Sequence, residues 1–164
     1  MLSRSSGHHR RVRPTPDDLA AARGRVVPDL VGPGMRVLLV GINPSLWSAW
    51  SGLHFARPGN RLWRTLHESG FTPRRLEPSD TAELIAAGLG ITNVVARATA
   101  RADELSVDEI RAGVQPLRRL VRRHRPAYVA FLGFSTYRVA FDRKWASVWE
   151  QPDLFEGTRV WVLP

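Results

Sequence analysis

The chain has 164 residues, a length that suits one domain with a buried core, and 43% of them are hydrophobic, as is typical of globular proteins. Without cysteine it forms neither disulfides nor thiolate metal sites, and its apolar runs are too short to span a membrane. The formal charge of +9 favours a polyanionic partner such as nucleic acid, although the excess of arginine over lysine can also reflect a GC-rich genome.

Residues 1–14 are basic and polar and lack the apolar segment of a secretory signal. We expect them to form a disordered tail, whose histidines are solvated rather than metal-bound, and residues 15–164 to form a single domain of a cytoplasmic protein. Thr15 as N-cap and Pro16 at the first helical position predict a first helix that ends near Gly24.

The segment 36–40 predicts a buried strand of a parallel sheet, because its apolar residues are consecutive rather than alternating. It runs into the turn Gly41-Ile42-Asn43-Pro44, in which Gly41 allows a sharp exit or a close backbone approach and Pro44 adds rigidity. Open α/β sheets bind ligands at the carboxyl ends of their strands, so this turn is a candidate site. The loop over residues 42–59 is predicted to have little regular structure, and loops of this length in compact domains are usually functional.

Polar residues mark the starts of two later helices. Asp80 and Glu83 have the spacing of a capping box, and so do Ser106 and Glu109. Helices are predicted over residues 61–69, 80–87, 106–125 and 133–141, and strands over residues 89–95, 127–132 and 160–163.

Gly113 and Pro116 lie inside the longest of these helices and are expected to bend it or to divide it in two. Strands and helices alternate along the chain, which implies parallel strands joined by helices. The fold class is therefore predicted to be α/β, a three-layer sandwich with a central, mainly parallel four-stranded sheet flanked by helices.

Several blocks of the sequence occur together in the order found in a known family. They are Gly41-Ile42-Asn43-Pro44, Phe55-Ala56-Arg57-Pro58-Gly59-Asn60-Arg61-Leu62-Trp63, Gly90-Ile91-Thr92-Asn93, Ala102-Asp103-Glu104-Leu105-Ser106 and Val160-Trp161-Val162-Leu163-Pro164. Over roughly residues 14–164 the chain thus resembles the mismatch-specific uracil-DNA and thymine-DNA glycosylases. A single motif of four residues would be weak, whereas several in the right order identify the family.

This resemblance implies a uracil-DNA glycosylase-like fold and a monofunctional DNA repair enzyme. Such an enzyme flips uracil, or else thymine or a modified pyrimidine, out of a G:U or G:T mismatch and hydrolyses its N-glycosidic bond. The implied partner is double-stranded DNA that contains uracil or a mismatch. The protein is expected to act as a monomer, without a cofactor and without a metal ion.

The resemblance also assigns roles to four residues of the first loop. Asn43 falls on the catalytic asparagine, which positions the attacking water but cannot act as a strong base, although by itself it could simply cap the turn. Phe55 falls on the aromatic that stacks against the flipped base, the alternative being an ordinary core phenylalanine. Ile42 and Phe55 would offer backbone groups to the base edge, and Ser48 would shape the pocket and its tolerance for a 5-methyl group.

Other residues of this loop leave two interpretations open. His54 matches a histidine of the thymine-type branch that could reach a base carbonyl, or it is a partly exposed loop histidine. Trp47 and Trp50 could shield the pocket or pack the loop against the sheet. The residues expected to act as motif scaffold are Gly41, Pro44 and Asn60.

Arginines concentrate where the motifs lie. No acidic residue occurs between Asp29 and Glu68, so this part of the chain is locally cationic. Arg57 and Arg61 are therefore candidates for contacts with DNA phosphates, and Ser135 is a further candidate elsewhere in the chain.

The sequence given stops at Pro164, where the family would continue into an Asn-Pro-Ser-Gly loop and a final helix. If the chain lacks that loop and helix, base flipping and mismatch selectivity are expected to be severely weakened. One alternative is therefore a truncated, catalytically impaired DNA-binding relic. A second is a Rossmann-like nucleotide-binding protein, which is disfavoured because the first turn lacks the Gly-x-Gly-x-x-Gly spacing.

Overall fold

A computed structural model describes residues 13–164, and its strands form one sheet. The strands are β1 (Val37–Gly41), β2 (Leu89–Asn93), β3 (Tyr128–Leu132), β4 (Trp149–Glu150) and β5 (Arg159–Leu163). The helices are α1 (Pro16–Ala21), α2 (Leu46–Ser51), α3 (Arg61–Glu68), α4 (Thr81–Ala86), α5 (Val107–His124) and α6 (Phe134–Phe141), and a 3-10 turn covers Ala102–Glu104. Every helix and strand predicted from the sequence is present, which confirms the α/β class.

The sheet has the strand order β2-β1-β3-β5-β4, so β1 lies between two parallel neighbours. The prediction of four strands was wrong by one, because β4 pairs antiparallel with β5 as a fifth strand. A strand of two residues has no hydrophobic periodicity from which it could be predicted. At the opposite edge, beyond β2, Leu30 and Ile91 exchange both backbone hydrogen bonds, at 2.9 and 2.8 Å.

Helices cover both faces of the sheet, as the three-layer prediction requires. One face packs under α5 and α6, and its buried strand residues are Leu38, Val40, Val129, Phe131, Val160 and Val162. The other face packs under α3 and α4, and its buried strand residues are Leu39, Leu89, Ile91 and Ala130. Side chains of a strand point alternately to the two faces, so consecutive apolar residues serve both layers.

The longest helix, α5, begins with the predicted capping box, in which Ser106 and Glu109 bond each other's backbone N–H groups. Pro116 lies inside this helix, which continues as one element and is not divided in two. Gly113 allows α5 to approach the sheet edge closely, because a Cβ at this position would collide with the backbone carbonyl of Val94. The glycine that suggested an interruption of the helix thus serves instead to let α5 contact the chain after β2.

Two local predictions were wrong. The loop over residues 42–59 contains the helix α2, whose N-terminal Ser48 N–H is capped by the Ser45 hydroxyl at 3.1 Å. Asp80 precedes α4 but makes no capping bond to it, because its carboxylate accepts from the Glu77 N–H and from Arg74 instead. In both places a polar side chain bonds to backbone N–H groups within three residues of it. A sequence pattern does not show which of these nearby groups becomes the partner.

Residues 1–12 of the predicted tail lie outside the described part of the chain. Within residues 13–164, no helix combines the length and the hydropathy that crossing a membrane requires.

Candidate active site at the carboxyl edge of the sheet

Backbone hydrogen bonds join the turn after β1 to the segment that follows β2. The Val94 N–H donates to the Gly41 carbonyl and the Val95 N–H to the Ile42 carbonyl, both at 2.9 Å. Farther along, the Thr99 N–H donates to the Pro44 carbonyl at 3.3 Å. The backbone of the candidate motif is therefore fixed on one side by the segment that follows β2.

The side chain of Asn43 is fixed in a single amide orientation. Its Nδ2 lies 3.0 Å from the carbonyl oxygen of Arg97, which only accepts, and 2.8 Å from Thr99 Oγ1. The Thr99 hydroxyl donates its own proton to the Arg101 carbonyl at 2.7 Å, so it accepts from Asn43. Both amide protons are thereby used, and Oδ1 is left as the acceptor of this side chain.

A cavity of about 230 Å³ lies beside this amide. Its lining residues are Asn43, Pro44, Ser45, Ser48, His54, Phe55, Arg57, Asn60 and Asn93. The structure therefore brings together most of the residues that the sequence singled out, from the end of β1, α2, the α2–α3 loop and the end of β2. Of the predicted set, Gly41, Ile42, Arg61 and Ser135 do not line it.

Phe55 is a half-buried wall of the cavity and has an unusual backbone conformation. Its φ of +49° lies in the left-handed region, which costs a non-glycine residue on the order of 1–3 kcal/mol. The Trp63 indole N–H donates to the Phe55 carbonyl at 3.1 Å and helps to hold this conformation. The ring reaches Gly41, where a Cβ would lie 3.3 Å from Phe55 Cζ and 2.6 Å from Asn93 Oδ1. Gly41 thus provides space rather than a left-handed turn.

His54 is 6% exposed, so the interpretation as a partly exposed loop histidine was wrong. Its Nε2 lies 2.8 Å from the Pro28 carbonyl, which requires an Nε2–H donor. Burial lowers the pKa of His54. This effect outweighs the hydrogen bond to the Pro28 carbonyl and the charge of Asp29, which both raise the pKa. The ring is therefore neutral near pH 7, and its Nδ1 is an acceptor 3.5 Å from Asn93 Nδ2. With both ring nitrogens engaged in the protein, no donor is left for a base carbonyl.

Asn93 is the functional candidate that reasoning from the sequence missed, although it stands in one of the motif blocks. It is the last residue of β2 and lies level with Gly41 in the parallel register. Its carboxamide lines the cavity, and His54 orients it. The available signal was an amide at the carboxyl end of a strand adjacent to β1, the same position that drew attention to Asn43.

Ser48 and Asn60 also hold the loop in place. Ser48 is 3% exposed, and its Oγ lies 3.1 Å from the Ser45 hydroxyl that caps α2. Asn60 is the N-cap of α3, because its Oδ1 accepts from the Leu62 N–H at 3.0 Å. Both side chains contact the cavity from helix N-termini, so small shifts of α2 or α3 would change its shape.

The predicted phosphate contacts lie on the surface around this edge. Arg57, Arg61 and Ser135 are exposed, and within residues 13–164 neither arginine has a carboxylate partner. Arg57 also lines the cavity, whereas Ser135 lies in the first turn of α6, directly beyond the carboxyl end of β3. Ile42 packs on the α5–α6 side of the sheet and offers the cavity no side chain.

The residues available for metal binding are few. Within the described range no group of three or more His, Asp or Glu side chains could hold a metal ion. In a comparison with known protein families, residues 28–164 fit the family model described as the uracil DNA glycosylase superfamily.

Proposed function

The chain belongs to the uracil DNA glycosylase superfamily, and we propose that it removes uracil from G:U mismatches in double-stranded DNA by hydrolysing the N-glycosidic bond. Membership in this superfamily supports a hydrolase that acts on DNA. The observation that carries the finer proposal is the amide of Asn43, anchored through both protons, beside a cavity walled by Phe55.

In this proposal the target nucleotide leaves the duplex and its base enters the cavity, since the glycosidic carbon is out of reach inside the base stack. The ring of Phe55 stacks against the base, a contact worth roughly 1–3 kcal/mol. Asn93 reads the edge of the base with its carboxamide, and the neutral ring of His54 keeps that carboxamide from rotating. His54 is then a positioning residue rather than a base contact.

The Oδ1 of Asn43 accepts a hydrogen bond from the attacking water and aims its oxygen at C1′ of the sugar. The bond from C1′ to N1 of uracil breaks, and its electron pair leaves with the uracil ring as an anion. The water oxygen then bonds to C1′, and its proton passes to solvent. Because an amide does not take up this proton, catalysis depends on position and electrostatics, and a good leaving group such as uracil is required.

Substrate range follows from the same cavity. Ser48 is buried in the lining, and its position is set by the α2 cap, so it limits the space that a 5-methyl group would need. We propose uracil as the main substrate, with thymine removed more slowly.

The test is single-turnover base release from a G:U duplex with wild type and Asn43→Ala. We expect the variant to lose roughly 10²–10³ in rate, as when one preorganised polar group is removed from an active site, with little change in its affinity for the duplex. Unchanged release by Asn43→Ala would remove Asn43 from its role. Binding of the uracil duplex by wild type without any base release would instead indicate a DNA-binding protein that does not catalyse.

A further inference from the structure

A second, larger depression opens next to the cavity. Its volume is about 640 Å³, and it shares Arg57 and Asn60 with the cavity lining. We call it the flank groove and define it by Arg13, Trp47, Arg57, Asn60 and Arg75. Because two lining residues are common to both, the groove directly adjoins the cavity.

The rim of the flank groove is cationic. Arg13, Arg57 and Arg75 are all exposed, and none of them has a carboxylate partner within residues 13–164. The neighbouring Arg74 is different, because it pairs with two carboxylates of the α4 region and is thereby neutralised. Glu77 is the acidic residue of the lining, so the groove carries a net positive charge and attracts an anion.

One wall and the floor of the groove are aromatic. Trp47 is half-buried and makes an edge contact with Trp50, with ring centroids 6.1 Å apart, which limits its motion. On the floor lies Trp63, whose indole also holds the Phe55 carbonyl. A cationic track combined with an aromatic surface is the arrangement by which proteins bind unpaired nucleic acid strands.

We propose that the flank groove binds the DNA strand that carries the target nucleotide, on one side of the flipped base. Phosphates lie against Arg57, Arg75 and Arg13, and the adjacent sugar or base lies against Trp47. This rests on the proposed function, because a nucleotide in the cavity is what brings its own strand to the groove. The groove would fix the position of the glycosidic bond by holding the backbone that leads to it.

The first experiment compares Arg75→Gln with Arg123→Gln, an exposed arginine of α5 on the opposite side of the sheet that also lacks a carboxylate partner in the part of the chain that the structure describes. Affinity for a duplex with a stable abasic-site analogue is measured by fluorescence anisotropy over a range of NaCl concentrations. Loss of one phosphate contact should reduce the slope of log K against log [NaCl] by about 0.7–0.9 for Arg75→Gln. The slope of Arg123→Gln should stay at the wild-type value, and equal slopes for the two variants would overturn the proposal.

The second experiment identifies the strand. Single phosphates of either strand are replaced by uncharged methylphosphonates, and binding is measured with wild type and Arg75→Gln. In the uracil strand, one replacement should weaken wild type and leave Arg75→Gln unaffected, because the two changes remove the same contact. Such coupling in the complementary strand only, or in neither strand, would contradict the assignment.

The aromatic wall has its own test. Trp47→Ala should weaken binding of the abasic duplex about tenfold, whereas Trp47→Phe should keep most of the affinity, since stacking tolerates a change of ring. Equal losses would count against stacking. Uracil release by wild type is measured on duplexes of the same sequence that carry a G:U mismatch in place of the abasic analogue. If uracil is released but no coupling is found, only the groove assignment fails, whereas coupling without release would overturn the proposed chemistry and leave the groove as a DNA contact.

Discussion

At the scale of single residues, the site depends on hydrogen bonds whose direction is fixed by groups that can only accept. The Arg97 carbonyl orients Asn43, and the Pro28 carbonyl selects the tautomer of His54 that accepts from Asn93. The backbone thus fixes one of these amides directly and the other through His54, and in the proposed mechanism one faces the water and the other the base. If either amide rotated by 180°, its oxygen and its NH2 group would exchange places, and the amide would present the wrong group to its ligand.

The histidine makes this arrangement sensitive to acid. Burial lowers the pKa of His54 in the folded protein, so the unfolded chain takes up this proton at higher pH than the folded one. Stability is therefore unaffected well above the unfolded pKa of about 6.5 and falls as the pH drops from there toward the lower folded pKa. We expect wild type to lose more thermal stability than His54→Gln between pH 7.5 and pH 5.5.

Uracil release should decline at lower pH than stability does, around the folded pKa of His54, since a proton on its Nδ1 would then face the Nδ2–H of Asn93. The measurement is a pair of pH series, melting temperature and single-turnover rate, for both proteins. If the melting temperatures of wild type and His54→Gln fall equally with pH, His54 takes up its proton equally well in the folded and the unfolded protein, contrary to this account.

Only those residues of the site whose roles depend on neighbours in the sequence could be predicted from it. Asn43 could be placed at the site because a turn after a buried strand can be recognised within a few residues, and Phe55 because its motif block resembles the family. The roles of His54 and Asn93 depend on a contact between residues 39 positions apart and on a carbonyl 26 positions away from the histidine. Such contacts exist only once the sheet has formed, so no local pattern indicates them.

At the scale of elements, the capping box of α5 has a second role. The Glu109 carboxylate accepts from the Ser106 N–H and also from Arg97, whose Nε and Nη2 lie at 2.6 and 3.0 Å. These contacts, the one to Arg97 first, lower the pKa of Glu109 to about 2. Since the carbonyl of Arg97 holds Asn43, the start of α5 is linked to the candidate catalytic amide.

The two halves of this capping box can be separated by mutation. Ser106→Ala removes the hydroxyl that caps the Glu109 N–H and should lower stability by ~1 kcal/mol, with no change in uracil release. Glu109→Ala should also lower stability, and it should slow release several-fold because Arg97 is no longer held. Urea unfolding and single-turnover rates measure the two effects. If Ser106→Ala slowed uracil release as much as Glu109→Ala does, the lost stability of α5 alone would explain the slower release.

Elements with strong local signals are the ones that the sequence predicts well. The buried strand 37–41 and the capped helix 107–124 have such signals over their whole length. The helix α2 was missed because its apolar residues were assigned to a functional loop, and β4 because two residues carry no pattern. Gly113 and Pro116 were expected to bend or divide α5; the helix is not divided, and Gly113 instead packs on Val94, a contact that only the tertiary structure determines.

At the scale of the whole molecule, the site lies over the best-buried part of the sheet. The central strand β1 has a neighbour on each side and helices on both faces, so the turn that follows it stands on a rigid support. Phe131 of β3 is fully buried beside β1 and contacts the rings of Tyr137 and Phe141, with centroids 5.1 and 5.3 Å away.

Removing that ring tests whether this core carries the stability of the entire fold. Phe131→Ala should cost ~3–5 kcal/mol and Phe131→Leu clearly less, as read from the midpoint of urea unfolding at an unchanged m-value. Phe71→Ala, at a phenylalanine that is 49% exposed, is the matched control and should have a small effect. Similar midpoints for Phe131→Ala and Phe71→Ala would contradict the central role of this face.

Both lateral margins of the sheet are occupied, one by β4 and the other by the segment around Leu30. A margin with free amides and carbonyls invites strands of other molecules to add on and begin a fibril. Here an incoming strand would meet β4, which is only two residues long, on one side and the Leu30–Ile91 bridge on the other. An edge strand this short leaves little free backbone for a foreign strand to pair with, which disfavours edge-to-edge association at that margin.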